Sequence, residues 1–182
     1  RLDNAAKIYP AAKRRNWTNY FRLSATLTEE VDLNVLRAAL DVTVRRFPSI
    51  AVRLRRGVFW YYLEEITKAP AIEEDKSYPL VHVPFDDVRK CAFRVLVYGS
   101  RIAVEFFHAV TDGTGGLIFL KTLVAEYLCQ KYKINIPAEN GVLGRLEDPD
   151  PEELEDSFLR YAGDITASRA EQTAYHLSLI HI

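Results

Sequence analysis

The chain has 182 residues, of which 48% are hydrophobic and 27% charged, and its formal net charge is −1. This composition is typical of a globular protein with one core, and the balanced charge gives no general attraction to nucleic acid. No apolar run approaches the ~18 residues that cross a bilayer. Two cysteines, Cys91 and Cys129, do not make a disulfide framework and fit a reducing cytoplasm. The first residue is not Met, so a native start further upstream is expected.

The first predicted elements are a strand and a helix. Apolar residues alternate along Asn19–Thr28, as they do in a half-buried strand. Asp32 then precedes apolar residues at helical spacing, and Pro48 ends that helix. Two β-hairpins are predicted further along the chain, and their strands are Ile50–Arg55 with Val58–Glu64 and Ala92–Tyr98 with Arg101–Phe107.

The remaining stretches are predicted to connect these elements or to cover them. Pro70–Pro84 is predicted to be a connector with three exposed acidic residues, Glu73, Glu74 and Asp75. An amphipathic helix is predicted over Leu117–Tyr132, and Thr114 has the chemistry of an N-cap. Ile134–Pro151 has the Pro and Gly content of a linker, and a short helix is predicted over Glu152–Tyr161.

The most informative segment joins the end of a predicted strand to the start of a predicted helix. His108 follows the strand, Asp112 comes four residues later, and Gly113 leads with two further glycines into the helix. A neutral imidazole can accept a proton at cellular pH, because the ordinary His pKa is about 6.5. Asp112 could hold an imidazole, or it could pair with a basic side chain and fix the turn. Gly113 is expected to adopt φ > 0, so that the chain reverses sharply.

A structural interpretation of the same residues stays open. A lone His at a strand end is commonly a hydrogen-bonded structural residue, and Asp-Gly is a common turn dipeptide. The functional interpretation expects Gly115 and Gly116 to leave backbone N–H groups open to a polarised oxygen. The chain has neither a GxxxxGK[ST] phosphate loop nor a GxSxG elbow, and no third ligand at zinc-site spacing, so no metal site is predicted.

The six residues from His108 to Gly113, HAVTDG, resemble the HxxxDG signature of the chloramphenicol acetyltransferase-like acyltransferase superfamily. That superfamily includes alcohol acetyltransferases, BAHD acyltransferases, wax ester synthases and the condensation domains of nonribosomal peptide synthetases. Condensation domains usually carry a second His before the catalytic one. Phe107 occupies that position here, which favours a likeness to the free-standing bacterial alcohol acetyltransferases.

The resemblance implies a fold and a division of the chain. It covers most of Asp3–Gly163 and implies an α/β (α+β) fold, a mixed β-sheet flanked by helices, as the N-terminal half of a CoA-dependent acyltransferase. Residues 1–163 are the predicted acyltransferase subdomain, and residues 164–176 begin the connection to a missing C-terminal half of the same chain. Residues 177–182, LSLIHI, match the translation of a transposase-end sequencing adapter. On this interpretation the sequence is a fragment, inactive alone.

The resemblance also implies an activity. The complete protein would transfer an acyl group from acyl-CoA, its co-substrate, to a small-molecule alcohol or amine acceptor, with no bound cofactor. His108 is implied as the general base, Asp112 as a structural anchor, and Gly113 as the residue that keeps the channel open. Cofactor-binding residues are not identified. Two alternatives remain, a condensation-type domain that uses carrier-protein thioesters and a non-catalytic binding module of the same fold. A cytoplasmic location is expected.

Overall fold

The structure is a computed structural model that describes residues 19–58, 61–76, 78–80, 85–145, 147–150 and 153. Several sequence predictions lie outside these residues, including those for the connection at 164–176 and for the terminal residues 177–182. Most of the helix predicted over Glu152–Tyr161 lies outside them as well. The described residues form a mixed α+β fold, in which a sheet is flanked by helices, as expected.

A four-stranded sheet forms the centre, with the strand order β1-β6-β5-β4. Its strands are β1 Tyr20–Thr26, β4 Ile72–Glu74, β5 Phe93–Tyr98 and β6 Arg101–Phe107. β6 is antiparallel to both of its neighbours, whereas β4 runs parallel to β5. Because Tyr20 pairs with Phe107, the start of β1 lies beside the end of β6, where His108 follows.

A separate hairpin lies next to that end of the sheet. It consists of β2, Val52–Arg56, and β3, Tyr61–Glu65, in antiparallel register. The N–H of Ala92 donates to the carbonyl of Val52, and the N–H of Phe107 donates to the carbonyl of Ala92, both at 2.8 Å. These bonds join the hairpin to β6 through one intervening residue. Both predicted hairpins are therefore confirmed, with shifted boundaries for the first.

Two helices pack against each other on one face of the sheet. They are α1, Leu33–Arg46, and α3, Gly113–Tyr132, while α2 is a single turn over Phe85–Val88. α1 begins where the sequence predicted, and Asp32 caps it, because its carboxylate accepts the backbone N–H groups of Asn34 at 2.9 Å and Val35 at 3.1 Å. α3 begins four residues earlier than the predicted Leu117, because helical backbone already starts at Gly113.

The apolar core lies between these helices and the sheet, and Phe119 is at its centre. Its ring meets those of Phe47, Phe93 and Phe106 edge-on at centroid distances of 5.1, 5.2 and 5.5 Å. Most of the apolar stripe predicted for this helix is buried or half-buried. Leu117, in the second turn of α3, is the exception at 42% exposed.

The opposite face of the sheet carries buried charge. The side chain of Glu105 is fully buried and accepts hydrogen bonds from Arg22 at 3.1 Å and Arg94 at 2.6 Å. Arg22 also pairs with Asp75, and Arg101 contacts the same carboxylate at 2.8 Å. Two carboxylates and three guanidinium groups thus form one network across strands β1, β5 and β6, which we call the charged cluster.

The charged cluster corrects the prediction for the Pro70–Pro84 connector. Glu73 and Glu74 are exposed as predicted, but Asp75 is only 7% exposed. The connector also forms β4, which the sequence pattern did not predict. The physical reason is that the edge of β5 can pair with a parallel strand, and β4 forms along it. The pairing continues one residue beyond β4, where the N–H of Asp75 donates to the carbonyl of Val97 at 2.9 Å. This pairing carries Asp75 to the arginines.

Candidate active site

The site begins where β6 ends and His108 leaves the sheet. The backbone N–H of His108 donates to the carbonyl of Asn19 at 2.7 Å, so the β1–β6 pairing continues one residue beyond the strand. The N–H of Val110 donates to the carbonyl of Phe107 at 3.0 Å and closes a turn. The imidazole packs against the ring of Phe21, with centroids 5.0 Å apart at 58°, yet His108 remains exposed. Its backbone is fixed while its ring faces outward.

Asp112 holds the other end of this loop. Its carboxylate Oδ1 accepts the N–H of Gly115 at 2.8 Å, and its backbone carbonyl accepts the N–H of Gly116 at 2.9 Å. Asp112 is therefore the N-cap of α3, and the prediction that Thr114 has this role is wrong. The bond to Gly115 is the one side-chain hydrogen bond of Asp112 within the part of the chain that the structure describes. The carboxylate is thus engaged with the helix backbone.

The turn does not use Gly113 as the sequence suggested. Positive φ occurs among the described glycines at Gly99 and Gly141, so the prediction of φ > 0 at Gly113 is wrong. The reversal comes instead from the extended backbone of Asp112, at φ −93° and ψ −175°, directly before helical backbone. A Cβ at Gly113 would meet no atom within 4 Å, so this position opens onto free space beside the loop.

The two glycines that follow the motif, Gly115 and Gly116, lie where a side chain would not fit. A Cβ at Gly115 would lie 2.3 Å from Thr111 Oγ1, and one at Gly116 would lie 3.0 Å from Phe21 Cε2 and 3.2 Å from Phe106 Cε2. Their N–H groups both donate to Asp112, so the prediction that these two amides are open is wrong. Gly116 therefore lets α3 approach the sheet.

A second apolar cluster supports the middle of the loop from the hairpin side. Its buried members are Tyr20, Val52, Leu54, Val88, Ala92 and Phe107, and Ala109 and Val110 of the motif pack on it. Burial raises the pKa of the Tyr20 phenol above its usual range and that of the nearby Cys91 thiol to about 11. Both groups are therefore neutral near pH 7.

Two residues that position His108, Asn19 and Phe21, were not assigned to the site from the sequence. Both of them act through the register between β1 and β6, in which Phe21 pairs with Phe106. A single sequence carries no signal for that register. The apolar alternation of β1 could have placed Phe21 on the inner face, but not beside an imidazole 87 residues away.

Two further findings concern the described residues alone. They contain no group of three or more His, Cys, Asp or Glu side chains arranged to hold a metal ion. None of their helices is both long enough and apolar enough to cross a membrane.

Comparison with protein families finds no match to this sequence, and comparison with curated proteins finds none either. Solved structures do match. The starter condensation domain of rhizomide synthetase RzmA matches with a TM-score of 0.58 and 13% identity, over 76% of this chain and 39% of that one. The X-domain solved in a complex with OxyB from teicoplanin biosynthesis matches with a TM-score of 0.55 and 14% identity, over 73% and 33%.

A third match is the SgcC5 protein from Streptomyces globisporus, in a complex with (R)-(-)-1-(2-naphthyl)-1,2-ethanediol and sucrose. Its TM-score is 0.51 with 16% identity, over 65% of this chain and 32% of that one. The chain thus spans about a third to two fifths of the length of these matching chains. At such identities the likeness shows the fold alone: this chain has part of the fold that these condensation domains and X-domains share.

Proposed function

We propose that the complete protein transfers an acyl group from a thioester to a hydroxyl or amine acceptor, with His108 as the general base. One observation carries this proposal: His108 stands exposed at the end of a central strand, on a loop whose backbone is fixed at both ends. A base held on a rigid loop can meet a substrate without reorganising.

The chemistry follows from the position of the imidazole. His108 accepts the proton of the acceptor as the acceptor oxygen or nitrogen attacks the thioester carbonyl. The tetrahedral intermediate then collapses, the C–S bond breaks, and the proton passes from the imidazolium to the departing thiolate. An ester or amide and a free thiol result, and no acyl-enzyme is needed. A general base of this kind contributes roughly 10²–10⁴-fold to the rate.

The loop geometry supports an anchoring role for Asp112. Because its carboxylate caps α3, Asp112 fixes where the helix begins and hence where the loop returns to the sheet. Gly113 lies next to it and faces open space, which supports its proposed role in keeping a substrate channel clear. The amides of Gly113 and Thr114 have no acceptor among the described residues, so the helix start adds a positive field near the loop.

The donor is proposed to be a thioester on a phosphopantetheine arm, carried by a carrier protein or by CoA. The comparisons favour the condensation type, because a starter condensation domain of a synthetase is among the matching structures. Phe107, in place of the second His, favours a free-standing enzyme with acyl-CoA. An acceptor hydroxyl is supported by SgcC5, whose structure contains an ethanediol.

A non-catalytic binding module is the second candidate. The observation that favours it is the matching X-domain, which was solved in a complex with another protein, OxyB. On this interpretation the fold would present a surface to a partner, and His108 would have no acceptor to deprotonate.

The test is an acyl-transfer assay on the complete protein. Acetyl-CoA and an acetyl-loaded carrier protein are each offered with a panel of short alcohols and amines, and thiol release and product mass are followed. We expect thiol release that depends on an acceptor, with one donor strongly preferred. Binding of a carrier protein without transfer to any acceptor would favour the binding module instead.

A further inference from the structure

The outer face of the β2–β3 hairpin carries two arginines that share one carboxylate. Val52 and Leu54 are buried in the second apolar cluster, so the side chains that alternate with them, Arg53 and Arg55, point away from it. Both guanidinium groups donate through Nε to the same oxygen of Glu64, Oε2, at 2.5 and 2.8 Å. The two arginines therefore lie side by side in fixed orientations.

This arrangement leaves hydrogen-bond donors and positive charge unused. Each guanidinium has five N–H donors in a planar fork, and within the described residues the η-nitrogens of Arg53 and Arg55 have no acceptor. The pair carries two positive charges against the single charge of Glu64. Their side chains are 35% and 43% exposed, so a ligand can reach both. Two adjacent arginine forks suit the oxygens of a phosphate.

The hairpin lies close to the loop that carries His108. Val52, at the start of β2, is hydrogen-bonded to Ala92, and Ala92 is hydrogen-bonded to Phe107. With a strand rise of about 3.3 Å per residue, Arg53 and Arg55 lie roughly 3–10 Å further along β2 than Val52. A phosphopantetheine arm is a long extended chain that separates its phosphate from its thioester. The two arginines lie on the face of the hairpin opposite the second apolar cluster, so an arm whose phosphate is bound there would pass around the edge of the hairpin to reach His108.

We propose that Arg53 and Arg55, oriented by Glu64, bind the phosphate of the phosphopantetheine arm that delivers the thioester. This inference rests on the proposed function, because it assigns a binding site to its donor. The phosphate has the same chemistry whether it belongs to CoA or to a modified serine of a carrier protein. The simplest alternative is a solvated cross-strand ion pair, which contributes little to stability.

Binding measurements on the complete protein test the site without requiring turnover. Calorimetry compares 4′-phosphopantetheine with pantetheine, which lacks the phosphate. We expect the wild-type protein to bind the phosphorylated form at least ~10-fold more tightly, as charge-assisted bonds to a phosphate imply. The double variant Arg53→Gln/Arg55→Gln is expected to lose that preference. The control Arg45→Gln/Lys68→Gln removes the same charge from other exposed positions and is expected to keep it.

The two sources of the phosphate are then compared by titrating CoA and a phosphopantetheinylated carrier protein separately. The ligand whose binding falls ~10-fold or more in the double variant but not in the control identifies the source. Equal binding of phosphopantetheine and pantetheine, or a preference that survives in Arg53→Gln/Arg55→Gln, would overturn the inference. Loss of the preference together with absent acyl transfer would instead retain the site and reject the proposed function.

Discussion

The two faces of the central sheet share the same strands but are stabilised by different interactions, apolar packing on one face and buried ion pairs on the other. On one face Val104 and Phe106 of β6 pack among apolar side chains beneath α1 and α3. On the other face Glu105, between them in sequence, is equally buried but pairs with Arg22 and Arg94. Substitutions on the first face change the packing, and with it the free energy of unfolding, in small steps. The charged cluster depends on each member, because a buried charge without its partner is costly.

This difference matters for the site because β6 ends in His108. The apolar face positions α3, whose N-cap closes the loop, and Gly116 sets how closely that helix approaches. The charged cluster fixes β6 to β1 and β5 and also holds the connector, through Asp75 and through the N–H of Leu80, which donates to Glu105 at 3.1 Å. The loop is therefore fixed from both sides of the sheet.

The largest expected effect comes from breaking the charged cluster. Glu105→Ala leaves the guanidinium groups of Arg22 and Arg94 without their shared carboxylate in a buried place. We expect the free energy of unfolding to fall by about 3–5 kcal/mol. Urea denaturation measures it, with Glu73→Ala, which removes an exposed carboxylate of β4, as the control. A loss as small as that of the control would mean that the charged face does not hold β6.

Asp75 gives the charged face a pH dependence that the apolar face lacks. Hydrogen bonds from Arg22, and then from Arg101, hold the pKa of this carboxylate below its usual value. Its contribution is thus present above the unfolded pKa of about 3.9 and is lost as pH falls through the folded pKa. We expect Asp75→Asn to cost about 1–3 kcal/mol at neutral pH. Unfolding measured from pH 6 to 3 is expected to show a flatter profile for this variant; parallel profiles would contradict the assignment.

The apolar face is tested at the closest approach of helix and sheet. Gly116→Val places carbon atoms against the rings of Phe21 and Phe106, so we expect a loss of about 1–3 kcal/mol through overpacking. Gly113→Val is the matched control, because a Cβ there meets nothing within 4 Å. Equal thermal unfolding of the two variants would show that α3 does not depend on the small residue.

The smallest expected effect concerns the loop between the two faces. Asp112→Ala removes the N-cap of α3 and is expected to cost about 0.5–2 kcal/mol, whereas Asp112→Asn keeps an acceptor and costs less. The comparison separates capping from charge. Should the Asn variant be as unstable as the Ala variant, the negative charge itself would be what the loop requires.

The elements that form the apolar face were predicted well from the sequence. Alternation identified β1, β5 and β6, and Asp32 with Pro48 bounded α1. The short motif from His108 to Gly113 pointed to the loop, and the solved structures agree on the fold. These features depend on local spacing, which a single sequence contains.

The charged cluster could not be predicted in the same way. Asp75 follows Glu73 and Glu74 in a polar connector, so it looks like a solvated residue until the pairing of β4 with β5 carries it to Arg22. The start of α3 was misplaced for a related reason. Glycines are poor helix residues, yet Gly113 and Gly116 are helical because the cap at Asp112 and the packing on Phe21 outweigh that propensity.

The role of His108 is tested most directly by the rate of a single turnover. The complete protein is loaded with its preferred thioester, and transfer to the preferred acceptor is timed for the wild type, for His108→Ala and for the neighbouring control Thr114→Ala. The account predicts that His108→Ala lowers the transfer rate roughly 10²–10⁴-fold, while thioester binding and the control stay near wild type. Transfer by His108→Ala at the wild-type rate would contradict it.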